Sequence, residues 1–269
     1  SGALPPALYK LGHDIRVIMP KYSCTSKAGK RMQALKVDLE LPGFSGSLFQ
    51  SELAEGVPVY LIEHDGYYNR EHIYGEPGSD YPDSLERFAY FCRAVLEAAK
   101  KLDFKPDIIH CNDWHTGLIP VYLKTLYRKD PGFAQTKTLF SIHNLGYQGN
   151  FPHSQLKATG LDESLFREEG IEFYGQISFL KGGLIFADIL TTVSPAYSKE
   201  KVPQREGVIG FARHQEDEHH DKCHRQQNGA HQGHPFPHHV HEHGNDQARF
   251  QNHEDEDQGP PEATLKVIV

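Results

Sequence analysis

The most informative stretch of this chain reads Pro106-Asp-Ile-Ile-His-Cys-Asn-Asp-Trp-His115, an apolar run that ends in polar side chains. A second stretch of the same kind reads Thr138-Leu-Phe-Ser-Ile-His-Asn-Leu-Gly-Tyr-Gln-Gly149. Each pattern is typical of a buried strand that ends at a helix or loop. In an open parallel sheet, ligands bind in the crevice beyond the carboxyl ends of the strands. We therefore expect the two polar clusters to meet in one pocket for a polyhydroxylated ligand.

Strand and helix patterns alternate over residues 1–200. The clearest helix is predicted over Glu86–Leu102, because its apolar residues recur on one helical face. Asp83, three residues before Glu86, predicts a capping box at the start of this helix. The other predicted elements are helices over 3–11, 115–127 and 176–187, strands over 14–19, 57–62, 107–111, 138–142 and 188–193, and a helix starting at Ser194. This alternation predicts βαβ units, and therefore an α/β fold with a parallel sheet.

The remaining segments are less regular. Residues 21–56 predict short strands and loops, and residues 63–84 a polar, aromatic-rich loop. Residues 201–262 are rich in His, Gln, Asp, Glu, Gly and Pro, and residues 201–269 hold 11 of the 18 histidines. Such a stretch buries too little apolar surface to offset chain entropy, so it predicts a disordered tail. Residues 263–269 turn apolar again and predict a lone strand.

Composition excludes several classes of protein. The net charge is −8 and no basic stripe occurs, so we expect no nucleic-acid partner. No apolar run approaches the ~18 residues that indicate a membrane span, and the first residues do not resemble a signal peptide. Four scattered cysteines without a C-x-x-C pair are typical of free thiols in a reducing cytoplasm. We therefore expect a cytoplasmic protein with no membrane partner.

Asp113, Trp114 and His115 are the sharpest group of candidate site residues. Asp113 can accept hydrogen bonds from sugar hydroxyls, and Trp114 offers a face on which a sugar ring can stack. His115 is predicted at a helix N-terminus, which favours anionic or oxygen-rich ligands. The alternative is that Asp113 only caps the helix and Trp114 belongs to the core. The spacing leaves both interpretations open.

His143 and Asn144 end the second predicted strand. An imidazole there can donate or accept hydrogen bonds near neutral pH, and the alternative is a structural histidine. Gly149 permits a tight loop close to a ligand. Tyr74, Asp80, Tyr81 and Arg87 are candidates to line the same mouth, for which a solvated loop is the alternative.

Other catalytic and binding patterns are missing from the sequence. No Ser-His-Asp set, G-x-G-x-x-G fingerprint or P-loop can be assembled, so no cofactor is predicted. The histidines of the tail are dense enough to bind divalent metals loosely, which leaves a metal-buffering protein as one interpretation. A specific site needs fixed supporting side chains, which a disordered tail does not supply. We therefore predict no metal site.

Several stretches, in the same order, resemble the N-terminal catalytic domain of bacterial starch and glycogen synthases, which are ADP-glucose-dependent glucosyltransferases. They are Ser1–Leu8, Leu11–Tyr22, Tyr81–Phe88, His110–Leu118, Ser141–Gly149, Phe179–Leu184 and Ala187–Ser198. The resemblance covers about residues 1–200. It implies a Rossmann-like parallel sheet that forms the N-terminal half of a two-domain GT-B glycosyltransferase.

The resemblance also implies an activity. The family transfers glucose from ADP-glucose to the non-reducing end of an α-1,4-glucan with retention of configuration. It has no carboxylate pair of the kind that retaining glycosidases use, and the departing diphosphate is taken to help deprotonate the acceptor. By resemblance, His143 is the catalytic residue beside the donor glucose. The residues that shape the sugar pocket are then Asp113, Trp114, His115 and Asn144, with Tyr74 and Tyr81 as looser assignments.

The chain departs from the family pattern at both ends. By resemblance, a Lys-x-Gly-Gly-Leu loop and a central first strand precede Ser1, and a C-terminal domain carries the cations for the diphosphate. We therefore expect a fragment, truncated at both ends, that is inactive alone. Leu265–Val269 resembles the missing strand in type and is a candidate for the central position of the sheet. The alternative to a synthase fragment is a non-catalytic glucan- or partner-binding remnant.

Overall fold

The computed structural model describes residues 2–27, 33–41, 44–53, 56–193 and 264–269. The predicted tail over 201–262 and the helix predicted to start at Ser194 lie outside the described residues. The described strands are β1 (Asp14–Pro20), β2 (Gln33–Leu41), β3 (Phe44–Glu52), β4 (Pro58–Glu63), β5 (Gly75–Glu76), β6 (Ser79–Asp80), β7 (Ile108–Asn112), β8 (Lys137–Ile142), β9 (Asn150–Pro152), β10 (Glu172–Phe173), β11 (Gln176–Ser178), β12 (Ile189–Thr192) and β13 (Lys266–Ile268). The α-helices are α1 (Leu4–Lys10), α2 (Ser23–Lys27), α3 (Asp65–Tyr68), α4 (Ser84–Lys101), α5 (Leu118–Lys124), α6 (Leu156–Thr159) and α7 (Phe179–Phe186).

The main sheet has eight described strands in the order β12-β8-β7-β13-β1-β4-β3-β2. The run from β12 to β4 is parallel, which confirms the predicted α/β architecture. β3 and β2 extend it as antiparallel strands. The prediction of only short strands over residues 21–56 is wrong here, because β2 and β3 each span 9 residues. Their polar residues interrupt the apolar pattern, and burial of Leu39 and Leu48 in the core holds them to the sheet.

Residues 264–269 occupy the centre of this sheet and belong to the same compact unit as the N-terminal part of the chain. β13 lies parallel to β1 on one side, where Ile15 faces Val267, and parallel to β7 on the other, where Ile109 faces Ile268. Val267 is 5% exposed and Ile268 2% exposed. Residues 264–269 therefore take the central position for which they were a candidate, and the prediction of a lone strand is wrong, because β13 pairs on both sides.

Helix α4 covers the sheet with its apolar face, as the periodicity predicts. Its buried side chains include Phe88, Val95 and Leu96, which join the main hydrophobic core. The predicted capping box at Asp83 is wrong, since this side chain makes no capping hydrogen bond. Its carboxylate instead accepts hydrogen bonds from both terminal nitrogens of Arg70, and the distance from Nη1 to Oδ1 is 2.8 Å. None of the helices in the described parts of the chain has the length and apolarity needed to cross a bilayer.

Two predicted helices are shorter than expected. The helix predicted over 115–127 is a 3-10 turn over Trp114–Thr116 followed by α5. The helix predicted over 176–187 begins only at Phe179, because Gln176–Ser178 pairs with β9 as strand β11. The Ser178 hydroxyl then accepts the Lys181 backbone N–H at 3.2 Å and caps α7. Tertiary pairing thus overrides the local helical pattern at this point.

Candidate functional site

The carboxyl ends of β7 and β8 lie side by side, as expected for neighbouring parallel strands. Asn112, the last residue of β7, is in register with Ser141 of β8. Asp113 then donates its backbone N–H to the Ser141 carbonyl at 2.9 Å. The two polar clusters singled out in the sequence therefore meet at one edge of the sheet.

Asp113 holds the two strand ends together through its side chain. Its Oδ1 accepts the backbone N–H of His143 at 2.8 Å. The alternative that Asp113 only caps the following helix is wrong, because its side chain makes no capping hydrogen bond. Its backbone has φ 56 and ψ −176, a region that residues with a Cβ rarely enter. Strain of this kind persists only where the surroundings enforce it, and it clusters at functional sites.

The imidazole of His143 is oriented by Asn112. Its Nε2 lies 3.1 Å from the Asn112 Oδ1. An amide oxygen can only accept, so Nε2 carries the hydrogen in this contact. In the neutral ring Nδ1 is then the acceptor nitrogen. The half-buried His143 is thus fixed through both its backbone and its ring.

Trp114 lies in an aromatic cluster behind the strand ends. Its ring stacks on His115 at 4.0 Å between centroids and meets Phe88 edge-on at 4.8 Å. Gly149 closes over the indole, with φ +58, and a Cβ there would overlap the Trp114 ring at Cε3. The indole is partly buried against the main core. This packing favours the core interpretation of Trp114 over an open stacking platform.

His115 is largely buried within the same cluster. Burial, with a smaller effect of the Arg87 charge, lowers its pKa to about 3, so the ring is neutral near pH 7. Its Nε2 is buried without a hydrogen-bond partner among the described residues. The helix expected to begin at this position is a single 3-10 turn. A neutral imidazole here can accept or donate one hydrogen bond, but it supplies no charge for an anion.

Tyr74 covers His115 from the loop that precedes α4. The two ring centroids are 5.4 Å apart, and Tyr74 keeps 36% of its surface exposed. Partial burial raises the pKa of Tyr74, and the Asp113 carboxylate raises it further. Tyr74 is therefore a protonated phenol beside the strand ends, within the electrostatic reach of Asp113.

Tyr81 is held within its own loop rather than at the strand ends. Its ring lies 4.5 Å from the guanidinium carbon of Arg70 and 5.1 Å from that of Arg87. Its hydroxyl donates to the His72 carbonyl or to Glu76 Oε1, each at 3.4 Å. The contacts of Tyr81 thus brace the loop that carries Tyr74.

Asn144 shapes the loop that follows β8. Its Oδ1 accepts the Gly146 backbone N–H at 2.8 Å, as in an Asx turn. Asn144 is itself exposed, and Tyr147, which follows Gly146 in the same loop, is 68% exposed. This exposed loop edge stands next to His143 and is open to a ligand.

Two residues of this region differ from the sequence analysis: Asn112 was not singled out, and the expectation that Arg87 lines the mouth is wrong, because Arg87 is buried. Asn112 orients His143, and its position one residue before Asp113 on the same strand end is the only signal that the sequence offers. Arg87 is fully buried, and donates from Nε to the Tyr67 carbonyl at 3.0 Å and from Nη2 to the Ile73 carbonyl at 2.8 Å. Arg87 therefore holds the loop that carries Tyr74 in place.

Metal-binding geometry does not occur in the described ranges. No group of three or more His, Cys, Asp or Glu side chains there is arranged to hold a metal ion. The histidine-dense segment, with His234, His238, His239, His241 and His243, lies outside these ranges. The metal-buffering interpretation therefore gains no support from the described residues.

Comparison with known proteins places this arrangement in a family. A family described as the starch synthase catalytic domain matches residues 1–214. Glycogen synthase 2 of Geobacter sulfurreducens is 46% identical over 210 residues, which cover 77% of this chain and 43% of that protein. Glycogen synthase of Thermotoga maritima is 41% identical over 209 residues, which cover 74% of this chain and 42% of that protein. The chain thus spans less than half of the length of these relatives.

A solved structure shows the same fold. The catalytic domain of starch synthase IV from Arabidopsis thaliana, bound to ADP and acarbose, superposes with a TM-score of 0.65 at 33% identity. The match covers 73% of this chain and 41% of that one. It confirms the predicted Rossmann-like α/β sheet of the N-terminal half of a GT-B glycosyltransferase. Together with the family match over residues 1–214, it shows that the chain belongs to the starch synthase catalytic domain family.

Proposed function

We propose that this chain is a fragment of a glycogen or starch synthase that contains the N-terminal part of its catalytic domain. The longer enzyme would transfer glucose from ADP-glucose to the non-reducing end of an α-1,4-glucan with retention of configuration. The observation that carries the proposal is the joining of two strand ends at His143, through Asp113 and Asn112. The solved starch synthase IV domain, which binds ADP and acarbose, supports this choice of ligands.

The proposed roles follow from what each side chain contacts. His143 is the catalytic residue beside the donor glucose, and Asn144 and Tyr74 form the exposed edges of the sugar pocket. Asp113 holds His143 by its backbone. Trp114 and His115 form the wall behind the sugar, and Tyr81 supports the loop that carries Tyr74.

The charges of the proposed site residues determine whether this chain can stabilise the departing diphosphate. Transfer leaves negative charge on the departing diphosphate, which the enzyme must stabilise electrostatically. The site residues proposed above contribute the Asp113 carboxylate and a neutral His115, and no lysine or arginine is among them. We therefore propose that the cations that stabilise the diphosphate come from other parts of the longer enzyme. The 269-residue chain would then bind sugar weakly without turning it over.

An incorporation assay tests the lack of turnover. The chain is incubated with radiolabelled ADP-glucose and a glucan primer, and the label in precipitated glucan is counted. We expect no incorporation above a heat-denatured control. Incorporation above that background would contradict the proposed inactivity of the isolated chain while leaving the choice of substrates intact.

A binding assay separates the synthase proposal from a glucan- or partner-binding remnant. Trp114 is the single tryptophan of the chain and stands beside the proposed pocket, so its emission reports on occupancy. ADP-glucose should change this emission saturably, and His143→Ala should weaken the response at least several-fold. His153→Ala, which removes an exposed histidine that contacts Glu163, is the matched control and should leave it unchanged. A response to maltoheptaose but none to ADP-glucose would instead support a glucan-binding remnant.

Two further parts of the proposal concern the organisation and location of the chain. We propose that residues 1–200 form the catalytic domain, with 201–262 as a separate tail and 263–269 as the segment that completes the sheet. We also propose a cytoplasmic location, supported by the free thiols of Cys92 and Cys111. Limited proteolysis followed by mass spectrometry tests the first, and cell fractionation the second.

A further inference from the structure

The hairpin formed by β10 and β11 carries an unusual residue at its tip. Phe173 pairs with Gln176, so Tyr174 and Gly175 form a two-residue turn. Both turn residues have a positive φ, 50 for Tyr174 and 76 for Gly175, which is the pattern of a type I′ turn. Such turns prefer Asn-Gly or Asp-Gly, and a bulky side chain at positive φ is an outlier. The hairpin would therefore form more easily with asparagine at position 174.

The Tyr174 side chain contributes little to the packing of the fold. It is 89% exposed, and its ring meets that of Phe173 edge-on, with 4.6 Å between the centroids. Backbone strain of this kind clusters at ligand clamps and other functional sites. A residue that breaks a local rule without a gain in packing is therefore better explained by what it binds.

A cavity is shared by this hairpin and the loop that follows β8. Its volume is about 340 Å³, and its lining includes Phe173 of the hairpin and Leu145 and Gln148 of the loop. Tyr147 lies between Leu145 and Gln148 in the sequence and is 68% exposed. Each of the two segments therefore carries an exposed tyrosine next to a residue that lines the cavity.

The loop with Tyr147 connects this cavity with the proposed sugar pocket. Tyr147 belongs to the same loop as His143 and Asn144. Burial raises the pKa of Tyr74, and the Asp113 carboxylate and Tyr147 raise it further, so Tyr147 is within electrostatic reach of Tyr74. A glucan whose non-reducing end enters the pocket keeps the rest of its chain outside it. The loop leads from the pocket to the cavity, where those further glucose units can lie.

The chemistry of this surface suits a neutral sugar chain. Among the described residues that line the cavity, Lys181 alone is charged, and its ammonium group donates to the Glu172 backbone carbonyl. The Glu172 carboxylate in turn accepts the Gly175 backbone N–H at 2.7 Å. The surface thus presents mainly apolar side chains and two phenols. The face of an aromatic ring is electron-rich and attracts the C–H groups of a glucose ring, while a phenol hydroxyl can hydrogen-bond to a sugar hydroxyl.

We propose that Tyr147, Tyr174 and the cavity between their segments bind the acceptor α-1,4-glucan, with a glucose ring stacked on each tyrosine. The site holds the glucose units that lie beyond the end at which transfer occurs. This inference rests on the proposed glucosyl transfer, because it assigns a binding surface to the acceptor of that reaction. The donor residues around His143 have no part in it.

Affinity electrophoresis of the full-length chain tests this site. The chain migrates through native gels that contain increasing amounts of glycogen, and the retardation gives the affinity. We expect glycogen to retard the unsubstituted chain and free maltoheptaose to relieve the retardation. Tyr174→Asn and Tyr147→Ala should each weaken the affinity at least several-fold, whereas Tyr174→Trp, which keeps an aromatic face, should retain it. Tyr9→Asn, at an exposed tyrosine of α1, is the matched control and should leave the affinity unchanged.

The variant Tyr174→Asn separates a loss of binding from a loss of fold. Its melting temperature should equal or exceed that of the unsubstituted chain, because asparagine suits the turn. Its Trp114 emission should respond to ADP-glucose as in the unsubstituted chain, so this signal judges the proposed donor site separately from the glucan site.

The inference is overturned if glycogen does not retard the unsubstituted chain, or if Tyr174→Asn or Tyr147→Ala is retarded as strongly as that chain. The apolar dye anilinonaphthalene sulfonate distinguishes another kind of occupant. Dye binding that Tyr174→Asn abolishes, without any retardation by glycogen, would overturn the inference in favour of a docking surface for an apolar protein segment.

Discussion

The Asp113 carboxylate accepts the backbone N–H of His143 at 2.8 Å, so the end of β7 holds the start of the loop after β8. The same residue has φ 56, which a side chain with a Cβ disfavours. One residue therefore links two strand ends and carries the backbone strain of that link. The consequences can be separated by substitution.

Asp113→Ala and Asp113→Gly should differ in their free energy of unfolding. Both remove the charge-assisted bond to His143, worth roughly 1.5–3 kcal/mol. Alanine keeps the backbone strain, whereas glycine relieves it, an effect of about 1–3 kcal/mol. We expect Asp113→Gly to be the more stable of the two in urea unfolding at pH 7. If Asp113→Ala were as stable as the unsubstituted chain, the hydrogen bond between Asp113 and His143 would not stabilise the fold.

Gly149→Ala tests the close packing over the indole. A Cβ at this position would overlap the Trp114 ring at Cε3, and φ +58 is itself unfavourable for alanine. We expect a loss of about 1–3 kcal/mol, as for other overpacked sites, and a shift of the Trp114 emission. Gly78→Ala is the matched control, since its φ is also positive but its added Cβ would meet no atom within 4 Å. An unchanged emission in Gly149→Ala would contradict the described packing.

Buried histidines should make stability fall in mild acid. Burial lowers the pKa of His115 to about 3, and burial with the nearby His143 lowers that of His110 to about 4. An unfolded histidine has a pKa of about 6.5, so below this pH the unfolded chain binds more protons than the folded one. The stabilising contribution is complete above about pH 6.5 and is lost as the pH falls towards those lowered values. We expect a loss of about 2 kcal/mol for each histidine between pH 7 and pH 5.

The variant His115→Phe tests how much of this acid-induced loss of stability comes from His115. The variant replaces a buried ring by one that cannot be protonated, so its unfolding free energy should fall less between pH 7 and pH 5. At pH 7 it should be close to the unsubstituted chain, since the His115 Nε2 has no hydrogen-bond partner among the described residues to lose. His153→Phe, at an exposed histidine, should keep the full fall. An identical pH dependence in His115→Phe would refute the assignment.

Deletion of residues 264–269 should destabilise the domain. Burial of Val267 and Ile268 contributes roughly 1.5–3 kcal/mol each, before the strand hydrogen bonds are counted. At about 2–4 °C for each kcal/mol in a domain of this size, thermal unfolding should shift down by roughly 10 °C or more. Lys266→Ala, which changes only an exposed side chain of the same strand, should shift it by far less. An unchanged melting temperature after the deletion would mean that β13 does not complete the sheet.

Much of the fold could be predicted from the sequence, because local periodicity and burial agree there. α4, β7 and β8 have regular apolar patterns that tertiary contacts do not override. β2 and β3 could not be predicted, since their polar residues disguise strands that depend on pairing. The start of α7 was misplaced because Gln176–Ser178 pairs with a strand distant in sequence.

The candidate site was predictable in position but not in detail. Two polar stretches at strand ends indicated where Asp113 and His143 meet. The sequence could not predict that the Asp113 carboxylate accepts a hydrogen bond from the His143 backbone N–H, because this contact depends on the unusual φ of Asp113. The burial of Arg87 was also hidden, since a charged residue on an amphipathic helix is usually exposed.

Amide chemical-shift mapping tests the central claim most directly. The isotope-labelled chain is titrated with ADP-glucose, and the perturbed amides are assigned along the sequence. If the ends of β7 and β8 form a donor-sugar site, the largest shifts should fall on residues 112–115 and 143–149 and shrink strongly in His143→Ala. Shifts confined to other parts of the chain, or none at saturating ligand, would contradict the account.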